Sequence, residues 1–158
     1  MTAFSFNLNG NPVAIENEGQ TRLIDLMREQ LGLTAAKIGC DIGRCGACLV
    51  LIDGLPANAC LVRLYRLNGR SVTTPEGLSR IPEGRAIRAA FTAEVAFQCG
   101  YCAPGMAIAA TALLLENPSP DEKAIRESLA GNLCRCSGYL SIIRAVQQAP
   151  ALLQLNAS

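Results

Sequence analysis

The sequence predicts an α+β fold made of a strand-rich N-terminal domain followed by an all-helical C-terminal domain. Strand and hairpin signals end at Thr73, only helical patterns follow, and the eight cysteines divide equally between the two parts. Half of the 158 residues are hydrophobic and 17% are charged, which is typical of a compact chain. The turn-forming segment 74–77 is interpreted as a linker, so domains are predicted over residues 1–76 and 77–158.

Two hairpins and one helix are predicted in the N-terminal domain. The pairs Asn9–Gly10 and Asp53–Gly54 favour type I′ turns between residues that form strands. Between these hairpins, apolar residues share one face from about residue 22 to 31, which predicts a helix. Thr21 is expected to cap the start of that helix, and Gly32 lies just past its end.

Four helices are predicted in the C-terminal domain, over residues 83–97, 104–116, 120–130 and 138–149. Ser119 begins a capping box for the third helix, and Ser137 is expected to cap the fourth. Pro150 is expected to stop the last helix, which leaves residues 152–158 as a tail. The short connections favour a four-helix bundle, in which the first and third connections can lie at the same end.

The cysteines form two quartets, and the chain contains no histidine. The first quartet is Cys40, Cys45, Cys48 and Cys60, and the second is Cys99, Cys102, Cys134 and Cys136. The first quartet follows the spacing C-x4-C-x2-C with a later cysteine, which is the pattern of plant-type [2Fe–2S] ferredoxins. Together with the order hairpin, helix, loop, hairpin, this spacing predicts a β-grasp ferredoxin domain, followed by a helical bundle that holds a second [2Fe–2S] cluster. Glycines interleave the cysteines and let backbone N–H groups approach the sulfurs.

Disulfides and structural zinc are the alternatives for these cysteines. Disulfides are rare in the cytosol, and Cys134 and Cys136 are too close in sequence to bridge easily. Zinc accepts four thiolates, but C-x4-C-x2-C is not a usual zinc spacing, so a zinc-stapled interaction module is the weaker alternative. Arg44 and Arg135 lie inside the two cysteine loops, either as counter-charges to a cluster or as solvated surface groups.

Charge and hydropathy exclude several classes of partner. The net charge is +1 without a basic run, so no nucleic-acid partner is expected. The longest uncharged apolar run, Met106–Leu115, is too short to cross a bilayer, so no direct membrane insertion is expected. The N-terminus has no signal-peptide pattern, which predicts folding in the cytoplasm. The final location is then cytoplasmic or, through an exported partner, periplasmic or membrane-associated.

Four motifs occur in order along the chain between about residue 4 and residue 149. They are GCDIGRCGAC with Cys60 downstream, TPEGL, QCGYCAPGM and GNLCRCSGY. Together they resemble the small iron–sulfur subunit of the molybdenum hydroxylases, the xanthine oxidase family. The resemblance implies that the second quartet holds the cluster nearer to a molybdopterin cofactor and that the first quartet holds the distal cluster. It also implies that Gln98 hydrogen-bonds the pterin and that the region of Cys136 touches it.

The same resemblance implies the function of an electron-transfer subunit in an oxidoreductase. A large partner subunit would bind the molybdopterin, supply the catalytic glutamate and oxidise an aldehyde or an N-heteroaromatic substrate. This chain, which carries no catalytic residue itself, would relay the electrons to a cytochrome c or FAD subunit. A free-standing two-cluster ferredoxin is the alternative, but ordinary plant-type ferredoxins lack a second domain.

Overall fold

A computed structural model describes residues 1–155 of the chain. Within them, five strands form one mixed sheet in the order β2-β1-β5-β3-β4. The strands are β1 Thr2–Leu8, β2 Asn11–Asn17, β3 Leu49–Ile52, β4 Leu55–Asn58 and β5 Ser71–Thr73. β1 pairs antiparallel with β2 and parallel with β5, whereas β3 pairs antiparallel with both β4 and β5. The N-terminal part therefore has the predicted two hairpins in one sheet.

Both predicted hairpin turns are present. Asn9 and Gly10 have φ angles of 52° and 84°, and Asp53 and Gly54 have φ angles of 51° and 84°. A type I′ turn requires positive φ at both central residues, and Asn-Gly and Asp-Gly adopt it at low cost. The second turn brings the chain back towards Cys48, so that Cys60 can lie beside it.

The helix predicted over residues 22–31 is shorter and less regular than expected. It consists of an α-helix, α1, at Leu23–Asp25, which continues as a π-helix over Leu26–Gln30. The prediction that Thr21 caps it is wrong, because the Thr21 hydroxyl donates to the Asn17 side chain instead. The buried face of this helix packs on the sheet in one hydrophobic core.

Four helices follow and enclose a second hydrophobic core, which confirms the predicted bundle. They are α2 Pro82–Ala93, α3 Ala103–Glu116, α4 Glu122–Leu129 and α5 Tyr139–Leu155. Among the described residues, no helix has both the length and the apolar character that spanning a bilayer requires.

The ends of three helices differ from the prediction. Helix α2 ends before Val95, which is exposed and has a positive φ angle. Helix α4 is capped by Asp121, whose carboxylate accepts the Ala124 N–H at 2.8 Å, and not by Ser119. Helix α5 continues through Pro150, because Leu152 and Leu153 beyond it still pack against the helical core. The predicted tail is therefore helical as far as residue 155, and residues 156–158 lie outside the described residues.

The segment interpreted as a linker is packed between the two parts. Thr74 is fully buried, and a 3₁₀ helix covers Pro75–Arg80. Asn9 and Thr74 exchange two hydrogen bonds, of 2.8 and 3.0 Å, and the Glu76 carboxylate accepts the Ala35 N–H at 2.9 Å. The expectation of a linker missed these tertiary bonds, which hold the segment in place. The boundary between residues 76 and 77 stays a prediction.

Replacing Thr111 with valine is expected to stabilise the protein. Thr111 lies in α3 with no exposed surface, and within residues 1–155 its hydroxyl has no hydrogen-bond partner. Because an unsatisfied buried hydroxyl costs about 1–3 kcal/mol, Thr111→Val should raise the midpoint of thermal unfolding by roughly 2–12 °C. Differential scanning calorimetry of the cluster-loaded chain at one scan rate would measure this. Thr111→Ala, which also removes a methyl group, should raise the midpoint by less than Thr111→Val does. A lower midpoint for Thr111→Val would contradict the conclusion that the Thr111 hydroxyl is unsatisfied.

Candidate metal centres

The loop that carries the first three cysteines directs backbone N–H groups towards sulfur. The Cys40 sulfur accepts N–H groups from Arg44 at 3.1 Å, Cys45 at 3.3 Å and Ile42 at 3.5 Å. This inward turn depends on positive φ angles at several positions of the loop, Gly43 among them at 76°. The three N–H groups lower the pKa of the Cys40 thiol to about 7, with Ile42 the largest contributor. The loop thus stabilises a thiolate at Cys40 before any metal binds.

Close packing around the first quartet explains two of its glycines. A Cβ atom on Gly39 would lie 2.7 Å from the Cys45 sulfur, and one on Gly43 would lie 2.4 Å from a methyl carbon of Leu61. At Gly39 a Cβ would meet the Cys45 sulfur itself, so glycine there leaves the space next to that sulfur free. At Gly43 the contact is the end of the Leu61 side chain, and the positive φ angle of 76° is the constraint that favours glycine.

Cys48 and Cys60 complete the first quartet from the second hairpin. Both are buried, and the backbone bond from the Ala59 N–H to the Cys48 carbonyl, 3.2 Å long, aligns them. Burial raises the pKa of the Cys48 thiol to about 12, and the neighbouring Cys60 thiol adds to the shift. A metal must therefore displace a proton from Cys48 when it binds.

The second quartet lies where two connections of the helical bundle meet. Cys99 and Cys102 precede α3, and Cys134 and Cys136 precede α5, which confirms that the first and third connections share one end. The backbone N–H of Tyr101 lowers the pKa of Cys99 below its ordinary value. Burial raises the pKa of Cys102 to about 12.

Within each quartet the thiols meet in pairs. The side chains of Cys40 and Cys45, of Cys48 and Cys60, of Cys99 and Cys136, and of Cys102 and Cys134 influence each other's pKa as neighbours. All eight thiols are free. In the part of the chain that the structure describes, no three Cys, Asp or Glu side chains are placed to hold a single metal ion. Two pairs of thiolates, with N–H donors turned towards sulfur, fit a [2Fe–2S] cluster, in which four cysteines bind two irons.

The two quartets lie on either side of one seam. A cavity of about 170 Å³ is lined by Cys45 from the first quartet and by Cys99, Cys102 and Cys134 from the second. The Leu133 N–H donates to the Cys45 carbonyl at 3.0 Å, directly before Cys134 in the chain. We name this boundary, formed by residues 45–47, 105 and 131–134, the inter-quartet seam. At this seam, candidate ligands of the two sites are connected by a single hydrogen bond and a few covalent bonds of the backbone.

The remaining site residues from the sequence lie at the edge of the second quartet or at the surface. Gln98 is exposed, and its amide donates to the Cys136 carbonyl at 3.2 Å. The two residues expected to contact the pterin are therefore neighbours, and their contact with a pterin stays a prediction. The side chains of Arg44 and Arg135 are both exposed, which leaves both interpretations of their charge open.

Sequence reasoning missed several residues that shape the seam. A Cβ on Gly105, inside α3, would lie 2.1 Å from the Gly46 carbonyl oxygen. Asn132 and Tyr139 hold the loop of the second quartet by hydrogen bonds. Gly105 had a usable signal, because a glycine inside a helix marks a close approach. Asn132 and Tyr139 had none beyond their place in the motif GNLCRCSGY.

Two family models match the chain. The first, a 2Fe-2S iron–sulfur cluster binding domain, covers residues 6–65, and the second, a [2Fe-2S] binding domain, covers residues 74–147. A probable xanthine dehydrogenase subunit from Bacillus subtilis is 49% identical over 142 residues, which cover 90% of this chain and 82% of that protein. The chain belongs to the small [2Fe–2S] subunits of the molybdenum hydroxylases. This membership confirms the predicted family and the two [2Fe–2S] clusters.

Solved structures of molybdenum hydroxylases have the same fold. Quinoline 2-oxidoreductase from Pseudomonas putida 86 matches with a TM-score of 0.89 and 41% identity, over 99% of this chain and 96% of that chain. The aldehyde oxidoreductase from Desulfovibrio desulfuricans matches with a TM-score of 0.90 and 36% identity, over 98% of this chain but only 17% of that chain. These matches confirm the ferredoxin-like domain followed by a helical bundle. As a small subunit of this family, the chain transfers electrons in a multi-subunit oxidoreductase whose large subunit carries the molybdopterin.

Proposed function

We propose that this chain receives electrons at its second quartet and delivers them to an acceptor at its first quartet. Cys99, Cys102, Cys134 and Cys136 would hold the cluster beside the molybdopterin, with Gln98 in contact with the pterin. Cys40, Cys45, Cys48 and Cys60 would hold the cluster beside the acceptor. When bound, each cluster takes up and releases one electron. The observation that carries this proposal is the shared cavity at the inter-quartet seam, which keeps the route between the two sites short.

The residues around the two quartets support this direction. The second quartet adjoins the exposed Gln98 amide, which keeps one N–H and its oxygen available for a pterin beyond the bond to Cys136. The first quartet lies under an exposed apolar surface made by Ile42, which is 60% exposed, and Leu61, which is 57% exposed. Leu61 packs against the cysteine loop at Gly43, so this surface is fixed relative to the sulfurs. We infer that the acceptor, a flavin or a cytochrome c subunit, docks there.

Charging this surface should slow delivery to the acceptor. Ile42→Asp is expected to lower kcat/KM for the physiological acceptor by about tenfold, because a buried contact of this size is worth about 1–3 kcal/mol. Ala14→Asp is the control, since Ala14 is exposed and lies on β2, at the opposite edge of the sheet from β3 and β4, the strands next to Cys48 and Cys60. Turnover with a small dye should be unchanged in both variants. Equal losses in both variants would contradict the docking surface.

We propose an N-heteroaromatic substrate for the complex. The relatives named for xanthine and quinoline are 49% and 41% identical to this chain, whereas relatives named for aldehydes are 33–38% identical. Assay of the native complex with purine, pyridine and quinoline compounds against aromatic aldehydes would decide. Preference for the aldehydes would overturn the substrate class without affecting the relay.

Native purification tests the proposal as a whole. The chain should copurify with a molybdenum-containing subunit and hold about four irons with equal labile sulfide. Reduction should give two EPR signals of different relaxation behaviour. Flavin or haem in the complex identifies the acceptor, and cell fractionation tests the proposed cytoplasmic folding and final location. A colourless chain without labile sulfide would refute the proposal.

A further inference from the structure

Asn132 is a buried polar residue at the inter-quartet seam. Only 4% of its surface is exposed, and its side-chain amide donates to the Gly46 carbonyl at 3.3 Å. Gly46 lies between two cysteines of the first quartet, whereas Asn132 lies two residues before Cys134 of the second. This side chain therefore connects the loops of both quartets. A buried amide is retained at a cost unless its hydrogen bonds are made, which points to a specific role.

Tyr139 fixes the same loop from the other side. Its hydroxyl accepts the Cys134 N–H at 2.7 Å and donates to the Asn132 carbonyl at 3.3 Å. The hydroxyl thus bridges two backbone groups on either side of Leu133. Because Tyr139 is the first residue of α5, the loop is attached to a helix of the bundle.

Three consecutive residues of the loop are therefore each held by a hydrogen bond. Asn132 is bonded to Gly46, Leu133 to the Cys45 carbonyl, and Cys134 to the Tyr139 hydroxyl. The loop already packs closely on the first quartet, since a Cβ built on Gly46 would lie 2.6 Å from the Asn132 amide nitrogen and 2.7 Å from the Gly131 carbonyl oxygen, which leaves little room for a closer approach. It cannot move away without breaking these bonds. The spacing of the two quartets is thus limited in both directions.

We propose that Asn132 and Tyr139 are positioning residues that set the distance between the two iron–sulfur sites. This inference rests on the proposed function, since it takes the cysteines to be the cluster ligands. Neither residue would bind iron. Each residue acts through the backbone beside Cys134. Their loss should lengthen the distance between the two sites, or make that distance variable, while both clusters remain bound.

Tyr139→Phe and Asn132→Leu test this proposal in the native complex. Phenylalanine keeps the ring and removes only the hydroxyl, and leucine keeps the approximate volume of Asn132 without its amide. Tyr65→Phe is the matched control, because Tyr65 is exposed and lies away from the seam, after the first quartet. Iron content comes first, then the EPR spectrum of the fully reduced protein at low temperature. The magnetic splitting between two reduced clusters depends steeply on their distance and does not require turnover.

Both seam variants should retain about four irons and two EPR signals. Their mutual splitting should be reduced or broadened, and electron passage between the sites after pulsed reduction should slow by about tenfold, because small misplacements of reacting groups lower rates steeply. Tyr65→Phe should match the unmodified protein. Unchanged splitting and unchanged rate in both seam variants would overturn the proposal, and so would loss of a cluster from both, since the bonds would then retain metal. Absence of clusters from the unmodified protein would instead refute the proposed function itself.

Discussion

Cys136→Ser should abolish electron delivery to the physiological acceptor. The Cys136 thiol pairs with Cys99, and a serine hydroxyl is a much poorer iron ligand than a thiolate. We expect the iron content to fall from about four to about two per chain, with one EPR signal lost and the other retained. Turnover with the acceptor should drop by at least about a hundredfold, because the electrons would have to cross the gap left by the missing site.

Two further variants separate the possible reasons for such a loss. Arg135→Ser changes the exposed neighbour of Cys136 and should keep four irons and nearly normal turnover. Gln98→Ala removes the amide that bonds the Cys136 carbonyl, and it should leave both EPR signals in place while weakening the contact with the pterin. Full turnover in Cys136→Ser would contradict the relay, and a loss in Arg135→Ser as large as in Cys136→Ser would attribute the effect to the loop instead of the ligand.

Gly105→Ala should strongly destabilise the whole chain. In most helix interiors this substitution stabilises by about 1 kcal/mol. Here the added Cβ would lie 2.1 Å from the Gly46 carbonyl oxygen and 3.2 Å from the Ala47 Cα, so α3 must move away from the loop of the first quartet. Overpacking against backbone costs about 1–3 kcal/mol or more. We expect a fall of roughly 4–10 °C in the thermal midpoint and partial loss of iron from the first quartet.

Gly131→Ala is the matched control for this change. Gly131 also lies at the inter-quartet seam, but a Cβ there would meet no atom within 4 Å, and its φ angle lies outside the left-handed region. The thermal midpoint of Gly131→Ala should stay within about 2 °C of that of the unmodified chain, because most surface substitutions change stability little. If Gly105→Ala were as stable as Gly131→Ala, α3 would not be packed on the loop as described.

Features that depend on neighbouring residues could be predicted from the sequence. The turn at Asn9–Gly10 follows from the backbone freedom of two residues, and the first cysteine spacing is set by one loop. Features that depend on distant residues could not. The segment 74–77 contains turn-forming residues, yet Asn9, remote in sequence, binds it. Helix α5 continues past Pro150 because leucines further on reach the core, and no local rule encodes that packing.

The candidate site shows the same division. Spacing groups Cys40, Cys45 and Cys48, because neighbours in one loop remain together in any fold, and their assignment as cluster ligands stays a prediction. Spacing did not show that Cys99 pairs with Cys136, because that pairing depends on how two bundle connections face each other. Asn132 and Tyr139 were missed because amide and phenol side chains are not typical iron ligands. Both residues act by hydrogen-bonding the backbone of the cysteine loops, which the sequence does not reveal.

The bond between Leu133 and Cys45 uses main-chain atoms alone, and it leaves the Leu133 side chain 59% exposed. The hydrogen bond between the two loops is thus independent of which side chain occupies position 133. A different side chain there would alter the outer surface of the seam while the two loops keep their spacing. The same pair of loops can therefore present different surfaces to a neighbouring subunit.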